Sequence, residues 1–290
     1  MHPFQYLAPT TVKEVVSTLS RYGDRARCLA GGTDVLVQLR GGRFEIDALV
    51  DVKGVPELME LRLGADGLHL GAAVPCYRVY ESPRVAKAYP GIVDSASIIG
   101  GIQIQSRASI GGNLCNASPS ADSICSLIVH DAVARIAGPR GNREVEVAGF
   151  CVGPGKNVLR KGEFLVSIFV PKPAARFGAA YKRFIPRNEM DIAVAGAGAS
   201  VTLNAKGKIV AARIALAAVG PTPIVASRAA ASLLDREPTP EAFARAGDIA
   251  ALETHPIDDM RGTADYRVEL SRVLTRRTLA VAAERAKGAK

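Results

Sequence analysis

Two short runs of the sequence combine glycine pairs with small polar residues, the types that bind anions through the main chain. They are Ala30-Gly31-Gly32-Thr33-Asp34 and Ser109-Ile110-Gly111-Gly112-Asn113, about eighty residues apart. With no Cβ in the way, the N–H groups of such a turn can approach a negative ligand closely, and a helix opening behind the turn adds a favourable dipole. One turn alone reads more readily as a plain tight turn than as a binding site. Two together could hold a pyrophosphate. Other nucleotide signatures are missing: Gly-x-x-x-x-Gly-Lys-Ser/Thr does not occur, and Gly196-Ala197-Gly198-Ala199-Ser200 lacks the third glycine and sits in a strand-like stretch, where small residues serve packing. The histidines His2, His69, His130 and His255 are scattered, and their spacing suggests neither a Ser-His-Asp arrangement nor a metal cluster.

The surrounding pattern supplies elements to position both runs. Thr10 and Thr11 precede apolar residues at Val12, Val15, Val16 and Leu19, which predicts a capped amphipathic helix ending near Gly23. A strand over 27–30 then feeds the first glycine turn, and Val35 to Arg40 reads as the following helix. Another strand is expected over 48–52, a hairpin from Leu61-Arg62-Leu63 and Leu68-His69-Leu70, and helices over 90–99 and 122–129. Strands are expected over 133–136, 144–147, 164–170, 179–184, 194–203 and 208–217, and helices over 224–234, 240–252 and 264–286. Pro171-Lys172-Pro173-Ala174-Ala175 is the expected domain boundary, since two prolines interrupt strand pairing.

A chain of 290 residues with 48% hydrophobic and 22% charged residues is large enough for two domains and ordinary enough to exclude disorder. Residues 1–149 carry 15 Lys and Arg against 15 Asp and Glu, so the net charge of +9 resides in the second half. That half is either a solvated basic face or one turned to an acidic partner. Nucleic acid is not expected, because the chain has no Trp and only 5% aromatic residues with which to stack on bases. The five cysteines, Cys28, Cys76, Cys115, Cys125 and Cys151, form no Cys-x-x-Cys pair, so no disulfide scaffold or local metal site follows. Neither an export signal nor an apolar run of about 18 residues is present, which makes the cytoplasm the expected location.

Taken together, these residues resemble the FAD-binding medium subunit of the molybdenum hydroxylases, the xanthine dehydrogenase and carbon monoxide dehydrogenase family. The first glycine run with Leu29 resembles that family's first flavin loop, and the second, followed by Ser118-Pro119-Ser120-Ala121-Asp122, its second. Gly162-Glu163-Phe164-Leu165, Tyr181 to Ala193 and Val219-Gly220-Pro221-Thr222-Pro223 extend the resemblance over nearly the whole chain.

The resemblance implies an α+β chain with a two-subdomain vanillyl-alcohol-oxidase (PCMH)-like FAD-binding domain over 1–175, divided into 1–54 and 55–175, and a smaller α+β C-terminal domain over 176–290. It also implies that Leu29, Ala30, Gly31, Gly32, Thr33, Asp34 and Val35 with Ser109, Ile110, Gly111, Gly112 and Asn113 wrap the FAD pyrophosphate. Asp122 would contact the adenosine end, Ile99 and Gly100 would lie beside the flavin, and Leu165 and Arg183 would also touch the cofactor. Ile99 replaces an aromatic residue of some relatives, and Arg183 replaces a lysine of some. The cysteine-rich insertion of the hydroxybenzoyl-CoA reductases is missing between Asn113 and Asp122, so no iron–sulfur cluster is expected in this chain.

No catalytic acid or base and no metal ligand are assigned. The implied partners are a large molybdopterin subunit and a small subunit with [2Fe-2S] clusters, in a dimer of heterotrimers without nucleic acid or membrane span. A self-sufficient FAD-dependent alcohol oxidase and a non-catalytic nucleotide-binding assembly protein are the alternative readings.

Overall fold

The computed structural model describes residues 2–288, so the outermost limits of the two expected domains, Met1 and Lys290, lie outside it. The first 54 residues form a small parallel sheet of β1 (Gln5–Leu7), β2 (Ala26–Leu29) and β3 (Ala48–Asp51), in the order β1-β3-β2. Helix α1 (Val12–Tyr22) buries Val15 and Leu19 against it. Thr11 rather than Thr10 is its cap: the Thr11 hydroxyl accepts from the Glu14 N–H while the Glu14 carboxylate accepts from the Thr11 N–H. After β2 the chain turns at Gly31-Gly32 and enters α2 (Val35–Arg40).

A second sheet is antiparallel throughout, in the order β4-β5-β10-β6-β7. Its strands are β4 (Leu61–Leu63), β5 (Gly67–Gly71), β6 (Val133–Gly138), β7 (Gly141–Glu146) and, after the small β8 (Cys151–Gly153) and β9 (Lys156–Asn157) hairpin, β10 (Phe164–Pro171). Between β5 and β6 run six helices: α3 (Cys76–Tyr80), α4 (Pro83–Ala88), α5 (Pro90–Ala96), α6 (Ile102–Gln105), α7 (Ile110–Asn116) and α8 (Asp122–Val129). Every residue of α8 is buried, which marks it as the central pillar of this part of the molecule.

The C-terminal sheet, β11 (Phe177–Phe184), β12 (Ala195–Leu203), β13 (Ile209–Ala217) and β14 (Ile224–Val225), is also antiparallel. The short α9 (Ser227–Ala231), α10 (Pro240–Ala251) and the long α11 (Ala264–Lys287) follow it. The helix expected over 224–234 is therefore shorter: two β-branched residues after the proline-rich turn pair with Ala215 and Leu216 instead, and helix starts only at Ser227. Along β11 the side chains alternate as a two-faced strand requires. Ala180 joins the core under α10 and α11, whereas Ala179 and Tyr181 join the core that contains α5 and α8. The small residues of β12 permit this layering, since a Cβ on Gly198 would lie 2.9 Å from the Cys125 carbonyl oxygen of α8.

One ion pair ties the two layers together. Arg285 of α11 donates Nη1 to Asp94 Oδ2 of α5 at 2.6 Å and Nη2 to Oδ1 at 2.9 Å, and Nη1 also donates to the Ala179 carbonyl at 2.7 Å. Asp94 in turn accepts the Tyr181 N–H at 3.1 Å. Because this pair is about three-quarters buried and geometrically complete, Asp94→Ala should lower unfolding stability by about 2–3 kcal/mol. Arg25→Ala, which breaks a half-exposed pair with Asp47 that solvent screens, should cost far less in the same urea titration. Equal losses would contradict this account of the junction.

Candidate cofactor site

A cavity of about 760 Å³ opens between the three sheets. That is within the range of cofactor pockets, roughly 300–1,000 Å³. Its wall contains Ala30, Gly31, Gly32, Thr33, Asp34, Val35, Ile99, Gly100, Ser109, Gly111, Gly112, Asn113, Asp122, Leu165 and Arg183, so both glycine runs face one space. Leu29 and Ile110 do not line it. Leu29 packs with Leu39, Ile46 and Leu49, and Ile110 is fully buried in the main core, because side chains of neighbouring residues point away from the cavity. Ile99 and Leu165 serve both core and wall, being 8% and 4% exposed.

The glycines have different jobs. A Cβ on Gly31 would lie 2.0 Å from the Arg107 carbonyl oxygen, so the first run presses directly on the residues that lead into the second. Gly32 and Gly100 have φ of +81° and +60°, where a side chain is strained. Gly111 packs on Ala72, whose carbonyl oxygen would meet a Cβ at 2.4 Å, while a Cβ on Gly112 would touch only the Ser109 hydroxyl, at 3.0 Å. Only Gly112 of that pair keeps clear space for a ligand. The second pair also lies inside the first turn of α7, not ahead of it, with the Ser109 hydroxyl accepting from the Gly112 N–H at 3.0 Å.

In the first run the amides are the feature that fits an anion. Among the described residues, the N–H groups of residues 31–35 donate to no acceptor in the chain. Consecutive amides without acceptors, on residues that line a cavity, are available to an anion. Helix dipoles add little, since α2 and α7 have six and seven residues. Asn113 also holds the neighbouring helix in place. Its Oδ1 accepts from Ser123 N at 3.2 Å and from Ser123 Oγ at 2.6 Å, which caps α8 where Ala121 cannot.

Charge enters from the C-terminal sheet. Arg183 of β11 donates Nη1 to Asp122 Oδ2 at 2.5 Å and Nη2 to the Ile98 carbonyl at 2.7 Å. Asp122 Oδ1 accepts from the Tyr181 hydroxyl at 3.1 Å. One guanidinium thus spans Asp122 and the 98–100 turn. Asp122, expected at the adenosine end, and Ile99 and Gly100, expected beside the flavin, are therefore neighbours in the cavity wall.

Further wall residues include Arg27, stacked 4.4 Å over Phe44, which carries no signal in the sequence, and Met190 to Ala193 of the loop after β11, which lie in a stretch that extends the resemblance but are not themselves assigned to the site by it. Cys28 and Cys115 also reach the wall, but burial raises both thiols, Cys28 to about 12, which disfavours the reactive thiolate at neutral pH. Asp34 is raised by burial too. Among the described residues no group of His, Cys, Asp and Glu could hold a metal ion, and no helix is long and apolar enough to cross a membrane.

Burial pushes the Asp122 carboxyl up to about 6, with Arg183 and Tyr181 opposing the rise. The folded chain therefore binds this proton more tightly than the unfolded chain does, and Asp122 costs stability as pH rises from about 4 to about 6. Comparing wild type with Asp122→Asn isolates that titration. Across this window, the stability difference should move in favour of the Asn variant by on the order of 2–3 kcal/mol. A pH-independent difference in the two urea midpoints would contradict the assignment.

Family models agree with this geometry over most of the chain. Residues 2–173 match the FAD binding domain in molybdopterin dehydrogenase, and residues 179–282 match the CO dehydrogenase flavoprotein C-terminal domain. The xanthine dehydrogenase FAD-binding subunit of Escherichia coli O157:H7 is 31% identical over 285 residues, 98% of this chain and 97% of that one. The carbon monoxide dehydrogenase medium chain of Hydrogenophaga pseudoflava is 32% identical over 277 residues, 95% and 96% of the two chains. Among solved structures, carbon monoxide dehydrogenase of Hydrogenophaga pseudoflava matches with a TM-score of 0.93 and 32% identity, over 98% of this chain and 99% of that one. Quinoline 2-oxidoreductase of Pseudomonas putida 86 matches with a TM-score of 0.90 and 30% identity, over 99% and 98%. The chain belongs to the FAD-binding medium-subunit family of the molybdenum hydroxylases, the oxidoreductase family of xanthine dehydrogenase and carbon monoxide dehydrogenase.

Proposed function

We propose that this chain is the FAD-carrying electron-transfer subunit of a multi-subunit molybdenum hydroxylase. In this reading it accepts electrons from [2Fe-2S] centres on a small partner subunit and passes them to an external acceptor. A large molybdopterin subunit selects and oxidises the substrate, the complex is a dimer of heterotrimers, and it works in the cytoplasm. The observation that carries the reading is the convergence of both glycine runs, with the unpaired amides of the first, on a cavity of cofactor size.

The residues present fit FAD. The amides of 31–35 and the open face of Gly112 would hold the pyrophosphate, and Ile99, Gly100, Asp122 and Arg183 would surround the flavin end. Bound there, FAD supplies exchange of one and two electrons. The chain itself supplies position and charge: Ile99 and Leu165 exclude water, and Arg183 fixes the 98–100 turn through the Ile98 carbonyl. No proton has to move through a side chain of this subunit for electrons to pass. The same reading divides the chain into a FAD-binding domain over 1–175, split at 54, and a C-terminal domain over 176–290, with the boundary in the loop between β10 and β11.

Gly112→Leu tests the site without disturbing the fold, whereas Gly111→Leu would collide with the Ala72 backbone. The Gly112 variant should keep the melting temperature of the apoprotein and lose FAD affinity by about 100-fold or more, roughly 2.7 kcal/mol. Undiminished, stoichiometric FAD would remove the glycine run from the site. For the assembly, native mass spectrometry of the chain purified gently from its own host should give a mass containing FAD, one small and one large subunit. A lone chain with FAD that oxidises an alcohol would support the self-sufficient oxidase instead.

A further inference from the structure

The small residues of β12 have a use at the site beyond layering. A Cβ on Gly196 would lie 2.6 Å from the Tyr181 hydroxyl oxygen, so the glycine leaves the space in which that hydroxyl sits. Tyr181 is 3% exposed, and its hydroxyl donates to Asp122 Oδ1 at 3.1 Å. The other Asp122 oxygen takes Arg183 Nη1 at 2.5 Å, and Arg183 Nη2 runs on to the Ile98 carbonyl at 2.7 Å. Phenol, carboxylate, guanidinium and the 98–100 turn are thus joined in series, and the last three line the cavity. Among the described residues the Nε–H of Arg183 has no acceptor, which leaves a donor for whatever occupies this end.

A carboxylate removed from water stays ionised only when its oxygens are supplied with donors. Arg183 supplies one oxygen and Tyr181 the other. With phenylalanine at 181, Oδ1 would lose its donor in a place closed to solvent, and uptake of a proton by Asp122 would be the least costly remedy. The neutral Asp122–Arg183 pair would then become an uncompensated cation. A flavin gains negative charge density when it is reduced, so such a cation favours the reduced form and raises the reduction potential.

We propose that Tyr181 is a positioning residue for the flavin: its hydroxyl keeps Asp122 charged and Arg183 compensated, and thereby sets the potential at which the cofactor takes up electrons. This inference rests on the FAD reading above. It gives the C-terminal sheet a direct part in redox tuning, because Tyr181 and Arg183 project from the same face of β11 two residues apart.

The experiment is a double-mutant cycle read as the midpoint potential of bound FAD by spectroelectrochemistry at one neutral pH. It compares wild type, Tyr181→Phe, Asp122→Asn and the double variant. Tyr181→Phe and Asp122→Asn should each shift the potential to more positive values, and Tyr181→Phe should add no shift once Asp122 is Asn. An unchanged potential in Tyr181→Phe, or a shift of the same size in both backgrounds, would overturn the proposal, since a tyrosine that merely packs would act independently of Asp122. Should the Phe variant release FAD, its affinity loss enters the same cycle: a loss confined to the Asp122 background supports the proposal, and an equal loss in both backgrounds overturns it. A wild-type chain that takes up no FAD would overturn the cofactor reading itself, and is seen before any variant is compared.

Discussion

The site depends on one close crossing of two stretches of main chain. Gly31 lies against the carbonyl of Arg107, with no room for even a methyl group, and Ala108 and Ser109 follow at once into the second glycine run. That contact joins the small parallel sheet to the helical layer of the antiparallel sheet and turns two separate turns into one cavity wall. Gly32 turns at φ +81°, and among the described residues the N–H groups of 31–35, all residues of the cavity wall, donate to no acceptor in the chain. Unpaired amides are costly unless solvent or a ligand satisfies them. Five in succession on residues of an open cavity wall are thus available to solvent or to a ligand, as the proposed pyrophosphate contact requires.

Much of this is legible in the residues and some is not. The glycine runs, the strand before the first and the alternating strands of the C-terminal half all follow from local rules of spacing and backbone freedom. What those rules cannot give is the partner of each glycine. Gly31, Gly111 and Gly112 look alike in sequence, yet one meets Arg107, one meets Ala72 and one meets open space. Leu29 and Ile110 join the expected site only by adjacency, since their side chains serve the core. Ile224 and Val225 read as helix because nothing local reveals that an edge of β13 awaits them. Tyr181 begins a stretch that extends the resemblance but receives no role from it, although its spacing of two from Arg183 on a strand places both on one face.

Division of labour between the domains follows from the charges. The glycine runs offer neutral amides, while the buried pair of Asp122 and Arg183 unites the helical layer with the C-terminal sheet. Asp94 and Arg285 pin the same two layers nearby, so the sheet carrying Arg183 and Tyr181 is held against α5 and α8 from two points. The C-terminal sheet thus completes one wall of the cavity through Arg183.

Hydrogen–deuterium exchange of the apoprotein with and without added FAD tests the central claim most directly, because it reads the amides themselves. The amides of residues 31–35, which lack partners among the described residues, should exchange fast in the apoprotein and become protected when FAD is added. Unchanged exchange there, with FAD bound at full stoichiometry, would contradict the account by placing the pyrophosphate elsewhere.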